Sequence, residues 1–140
     1  CREGAEEAAE VTGSRPQLVA ITVLTSMSQD SLTEIGIDSP IPVEADRLAR
    51  LARENGIDGV VCSPQEAGAM RSVVGEDGLV VTPGVRPAGA ALGDQTRVAT
   101  PSSAFKAGSS HIVVGRPITG AENPVDAYEA IIAELCAMDD

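Results

Sequence analysis

The sequence predicts a parallel α/β fold assembled from four strand–helix units. Three observations point to it. Short apolar runs rich in Val and Ile recur along the chain, each followed by a loop and a helical stretch. The runs are nearly continuous rather than alternating, as expected of parallel strands covered on both faces. The chain has one Phe, one Tyr and no Trp, so its core must come from Val, Ile, Leu and Ala, which suits such strands.

The elements follow in order. Residues 2–11 read as the end of a helix whose beginning is absent. The first strand is expected near residues 17–24. Ser28 is the N-cap of a short helix that stops near Gly36. A second helix covers about residues 43–55, with Ala45, Leu48, Ala49 and Ala52 at three- and four-residue spacing and Gly56 as its stop. Residues 59–63 form the second strand. Ser63-Pro64-Gln65-Glu66 then reads as a capping box with proline at the first helical position, opening a helix that ends at Gly75. The third strand is at residues 79–82, followed by a loop rich in Gly, Ala and Pro from Arg86 to about Ala99. Thr100-Pro101 caps a short helix ending at Gly108, and residues 111–115 form the fourth strand. Asn123-Pro124 opens the last helix, whose Ala127, Ile131 and Leu135 make one apolar stripe. No linker or composition break divides the chain, so residues 1–140 read as one partial domain of four βα units.

Repeated strand–helix units imply parallel strands joined by right-handed crossovers. Two architectures satisfy this. One is a small doubly wound open sheet. The other is half of a (β/α)₈ TIM barrel, since a full barrel takes about 250 residues. The orphan helix end at the N-terminus favours the second.

Charge and cysteine usage exclude several function classes. The formal net charge is −11, which argues against nucleic acid and anionic membranes as partners, and the aromatic count argues against a base-stacking surface. A small anionic substrate remains compatible, because local arginines outweigh the global field at short range. Three cysteines, Cys1, Cys62 and Cys136, form no CxxC pair, as in a reducing cytoplasm. Cys62 falls in a buried-looking strand, as a small apolar filler would. There is no run of 18 apolar residues and no signal-peptide pattern.

In either architecture the ligand sits at the C-terminal ends of the strands. Reading those positions in order gives Thr25-Ser26, Ser63, Arg86 and Gly115-Arg116. The segment Val80-Val81-Thr82-Pro83-Gly84-Val85-Arg86-Pro87 and the later Ile112-Val113-Val114-Gly115-Arg116-Pro117 share one plan, an apolar run that stops at a glycine and an arginine. Two guanidinium groups at one sheet edge suit an anion such as phosphate. A glycine lets a phosphate oxygen approach the backbone, and an arginine adds a charged fork. The loop between Arg86 and Ala99 is long for a βα connection of about 2–6 residues. Carrying Asp94-Gln95, it has the makings of a lid that places one amide on a ligand. His111, the one histidine, sits at the start of a strand, away from that edge. Lys106, the one lysine, is on a short helix. No His/Cys/Asp cluster has metal-ligand spacing, and no Ser-His-Asp set can be assembled from the ligand-side residues. The residues thus supply anion-binding groups without an acid, base or nucleophile.

The sequence resembles bacterial orotidine 5′-phosphate decarboxylases. Val23-Leu24-Thr25-Ser26-Met27, Asp58-Gly59-Val60-Val61-Cys62-Ser63, Thr82-Pro83-Gly84-Val85-Arg86-Pro87, Asp94-Gln95 and Val114-Gly115-Arg116-Pro117-Ile118 carry the likeness, from about Leu18 to Leu135. It implies strands five to eight of a (β/α)₈ barrel, in a cytoplasmic homodimer that converts orotidine monophosphate to uridine monophosphate and CO₂ without metal or organic cofactor. By the same resemblance Thr25 contacts the pyrimidine, Gln95 is the lid amide, and Arg86, Gly115 and Arg116 bind substrate, the last two at the phosphate. The family's catalytic lysine and aspartates lie in a DxKxxD motif on the third strand, one aspartate coming from the other subunit. No DxKxxD occurs in this sequence, so the resemblance assigns no catalytic residue here and implies a chain inactive by itself. A non-catalytic phosphate-ligand half-barrel and a sister phosphosugar lyase are the alternatives.

Overall fold

Four parallel strands pair in sequence order: β1 (Val19–Ile21), β2 (Gly59–Val61), β3 (Leu79–Pro83) and β4 (His111–Val113). The computed structural model describes residues 1–87 and 99–138. Helices α1 (Arg2–Thr12), α2 (Gln29–Glu34), α3 (Ile41–Glu54), α4 (Ala67–Val74), α5 (Pro101–Lys106), α6 (Arg116–Thr119) and α7 (Pro124–Cys136) precede, link and follow the strands. A doubly wound sheet reverses its strand order at a switch point. The order β1-β2-β3-β4 contains no reversal, so that alternative does not describe this sheet.

Sequential order has a packing consequence. Crossovers of one hand, taken always in the same direction, bring the helices to one face. The register places Ala20, Val60, Val80, Thr82 and Ile112 together on one face, and Val19, Ile21, Val61, Val81, Pro83, His111 and Val113 on the other. On the first face Val60, Val80 and Thr82 are completely buried. On the second, Ile21 is 63% exposed and Val113 49%. The strands are therefore covered on one face rather than both among the described residues, although their composition alone reads as two-faced burial.

The core lies between the covered face and α3 and α4. It joins Val60, Cys62 and Val80 of the sheet region to Ala45, Ala49 and Ala52 of α3 and Ala67, Met70 and Val74 of α4. The alanine stripe read from the sequence is the inward face of α3. Its small side chains let α3 lie close to β2 and α4, while Met70 fills the remaining space. Where β2 meets β3 the backbones are close enough that a Cβ at Gly59 would overlap Leu79, so Gly59 is a contact requirement.

Local signals set the helix ends. Ser28 Oγ accepts the Ser31 N–H at 3.2 Å, Thr100 Oγ1 accepts the Ser103 N–H at 3.2 Å, and Asn123 Oδ1 accepts the Val125 N–H at 3.1 Å. Ile131 is buried on the predicted stripe of α7. Two expectations differ in detail. Pro64 occupies a turn ahead of α4, and Ser63 Oγ accepts from the Gln65 N–H inside that turn. The ladders of β1, β2 and β4 also end before the apolar runs do. Val23 and Cys62 lie beyond them and are buried all the same, because packing against the helices continues after strand pairing has stopped.

The N-terminal edge of the sheet is tied together by side chains. Asp58 accepts the Leu18 N–H at 2.7 Å and two bonds from Arg15 at 2.9 and 3.0 Å. Its backbone carbonyl takes the Leu79 N–H at 3.0 Å, so one residue joins the starts of three strands. Arg71 gathers the carbonyls of Gly75, Glu76, Gly78 and Gly108 at 2.6 to 3.1 Å and holds the loops before β3 and β4.

The Leu18 N–H and Arg15 hold the Asp58 carboxyl below its ordinary value of 3.8. A depressed native pKa contributes stability above the ordinary value, and that stability is lost as pH falls through the native one. Asp58→Asn is expected to lower the unfolding midpoint at neutral pH and to flatten its decline in acid below about pH 4. Equal acid sensitivity of the two proteins would contradict this. Thiol labelling checks the core: Cys1 and Cys136 are exposed and Cys62 is 1% exposed. Two thiols should react quickly in the native chain and the third only on unfolding.

Candidate functional site

The C-terminal edge of the sheet collects the residues that the sequence singled out. After β1 the chain stays close to β2, with the Thr22 N–H and hydroxyl both donating to the Val61 carbonyl at 3.0 Å. It then turns through Leu24, whose carbonyl accepts the Met27 N–H, and this turn carries Thr25 at 7% exposure. Thr25, Ser26, Val61, Cys62 and Pro83 line a hollow of about 70 Å³ across the ends of β1, β2 and β3. Its walls are otherwise the apolar side chains of Ile21, Val23 and Leu24. A flat, weakly polar group fits such a lining better than a charged one.

β3 ends in a turn at Gly84, whose φ of 77° is in the left-handed region that glycine adopts without strain. The turn sends Val85 and Arg86 inward, where they are 0% and 7% exposed. The Arg86 N–H donates to the Ala99 carbonyl at 2.9 Å, and Val85 and Ala99 form a parallel bridge. Both flanks of the loop are thereby fixed to each other at the sheet edge. Asp94, Gln95 and the proposed lid lie outside the described residues.

The fourth strand leads to Gly115 and Arg116, both exposed. A Cβ on Gly115 would meet nothing within 4 Å, so no neighbour among the described residues demands a glycine there. The open space above it is what an approaching ligand atom would use. Arg116 begins α6, with Gly115 as N-cap and a proline in the first turn. Sequence reasoning placed this arginine on a plain strand end. The Gly-Arg-Pro order, with Pro just inside a helix start, was the available signal for α6.

Thr25, Arg86 and Gly115-Arg116 thus emerge at one edge, from the ends of β1, β3 and β4. Lys106 closes α5, and a helix end that feeds the start of a strand lies at the opposite edge. His111 begins β4 at that opposite edge, with Nδ1 at 3.0 Å from Ser110 Oγ. Glu66 is a carboxylate that sequence reading took only as a cap residue. It is 6% exposed at the ligand end of β2. No group of three or more His, Cys, Asp or Glu among the described residues could hold a metal ion. No helix there is long and apolar enough to cross a membrane.

Comparison with known proteins identifies the family. Residues 1–131 match the Orotidine 5′-phosphate decarboxylase / HUMPS family. The orotidine 5′-phosphate decarboxylase of Halorhodospira halophila is 54% identical over 135 residues, covering 96% of this chain and 57% of that protein. That of Trichlorobacter lovleyi is 51% identical over 123 residues, 88% of this chain and 51% of that protein. The crystal structure of orotidine 5′-phosphate decarboxylase from Lactobacillus acidophilus superposes with a TM-score of 0.78 at 42% identity, over 95% of this chain and 55% of its own. The chain spans about half the length of the relatives it matches. With the family match running through nearly every described element, the chain belongs to the orotidine 5′-phosphate decarboxylase / HUMPS family.

Proposed function

We propose that this chain is the phosphate- and pyrimidine-binding portion of an orotidine 5′-phosphate decarboxylase, forming strands five to eight of a (β/α)₈ barrel. The observation that carries the reading is the common edge. Thr25, Arg86 and Gly115-Arg116 stand at the ends of three of the four parallel strands, β1, β3 and β4, in a chain of this family. Sequential strand order and the one-sided covering of the sheet support a barrel arc, in which the exposed apolar face is directed at the barrel interior.

In this reading the pyrimidine edge enters the hollow beside Thr25, and the 5′-phosphate sits over Gly115 against the Arg116 guanidinium. Arg86, held by the Val85–Ala99 bridge, lies between them, and Gln95 closes from the connecting loop. The reaction removes the carboxylate from C6 as CO₂ and puts a proton in its place. No residue of this chain is assigned to that proton, because the sequence has no DxKxxD and its one lysine is at the wrong edge. This portion contributes binding energy far from the reacting carbon. Such energy can be used to close a lid, expel water and hold the ring against charged groups supplied elsewhere. The complete enzyme is read as a cytoplasmic homodimer working without metal or organic cofactor.

Two measurements test this. In the complete enzyme, Arg116→Ala should cost on the order of 2–5 kcal/mol of transition-state stabilisation, as loss of a charged contact does. That is a fall in kcat/KM of about 30-fold or more. A nearly unchanged kcat/KM would remove the phosphate assignment. The 140-residue chain alone should release no measurable CO₂ from orotidine 5′-phosphate, and turnover by a pure sample would refute the division of roles.

A further inference from the structure

We propose that Glu66 is a positioning residue for the base end of the ligand site, an inference that rests on the reading above. Glu66 stands directly before α4 at the ligand edge of β2, and its Oε2 accepts the Ser63 N–H at 3.2 Å. Ser63 is completely buried, so water does not supply that acceptor. The Ser63 hydroxyl is engaged in its own turn, accepting the Gln65 N–H at 3.2 Å.

The Ser63 N–H and the Cys62 carbonyl belong to one planar peptide group, so holding the first orients the second. On its other side, the Cys62 N–H donates to the Val81 carbonyl at 3.0 Å. Cys62 is thus held from β3 on one side and by Glu66 on the other. It forms, with Val61, the wall of the 70 Å³ hollow that faces Thr25. The caps at Ser28 and Asn123 come from short side chains at exposed positions. Glu66 departs from that pattern by burying a carboxylate, which is costly unless the group is well used. Its bond to the Ser63 N–H holds the wall of the base-end hollow. The phosphate end, at Gly115 and Arg116, lies two strands away.

The test compares two ligands in one protein. Uridine 5′-monophosphate and ribose 5-phosphate are titrated by NMR into the 140-residue chain and its variants, with melting curves for each. Glu66→Ala should weaken uridine 5′-monophosphate about five-fold or more and leave ribose 5-phosphate within about two-fold. Glu66→Gln, which keeps a carbonyl acceptor, should restore nucleotide affinity. If Glu66→Ala does not fold, Glu66→Asp keeps the charge but is too short to reach the Ser63 N–H, and the same base-selective loss is expected. Unchanged nucleotide affinity, or equal weakening of both ligands, would overturn the positioning role and leave the site reading standing. A wild-type chain that binds neither ligand would overturn both.

Discussion

β2 and β3 pair in parallel, with Val60 and Val80 buried side by side beneath α3 and α4. This pairing carries the remaining elements. Parallel neighbours cannot be joined by a tight turn, so a crossover must follow each strand. α4 provides the crossover from β2 to β3 and also covers both. The closeness of the pair depends on Gly59, where no side chain could be accommodated against Leu79. β1 and β4 then add to the two sides, and each is only three residues long. Their outward apolar residues remain exposed because helices cover one face alone.

The same constraint separates the side-chain clamps at the strand starts from the candidate site at the strand ends. At the starts of the strands, Asp58 and Arg71 consume backbone groups of several loops and fix the order of the sheet. At the ends, the chain carries Thr25, the Cys62–Ser63 peptide, Arg86 and Gly115-Arg116, and the backbone departs from the ladder to present them. All the strands point the same way, so their ends share one edge. Each loop can therefore contribute one group to a common ligand without long-range rearrangement.

How much of this was legible varied by residue. The caps at Ser28, Thr100 and Asn123 were readable because a short polar side chain bonds an N–H two or three positions away. The stripe on α3 was readable because its period matches the helix. The position of Gly115 and Arg116 at the sheet edge was readable from the apolar run that precedes them, but α6 was not, since a single turn gives too few residues for a period. Asp58 as a clamp between Leu18 and Arg15 was invisible, because its partners are some 40 positions away in sequence.

The sequence by itself determined the elements other than α6, their parallel direction and the edge at which the conspicuous residues gather, because these follow from local periodicity, capping chemistry and the geometry of crossovers. Only the tertiary structure decided that the strands run in sequential order, that one face alone is covered, and that Glu66 is buried. Strand order and burial depend on contacts between distant segments. Residue types and spacing do not encode which neighbour a strand will take until the whole sheet has packed.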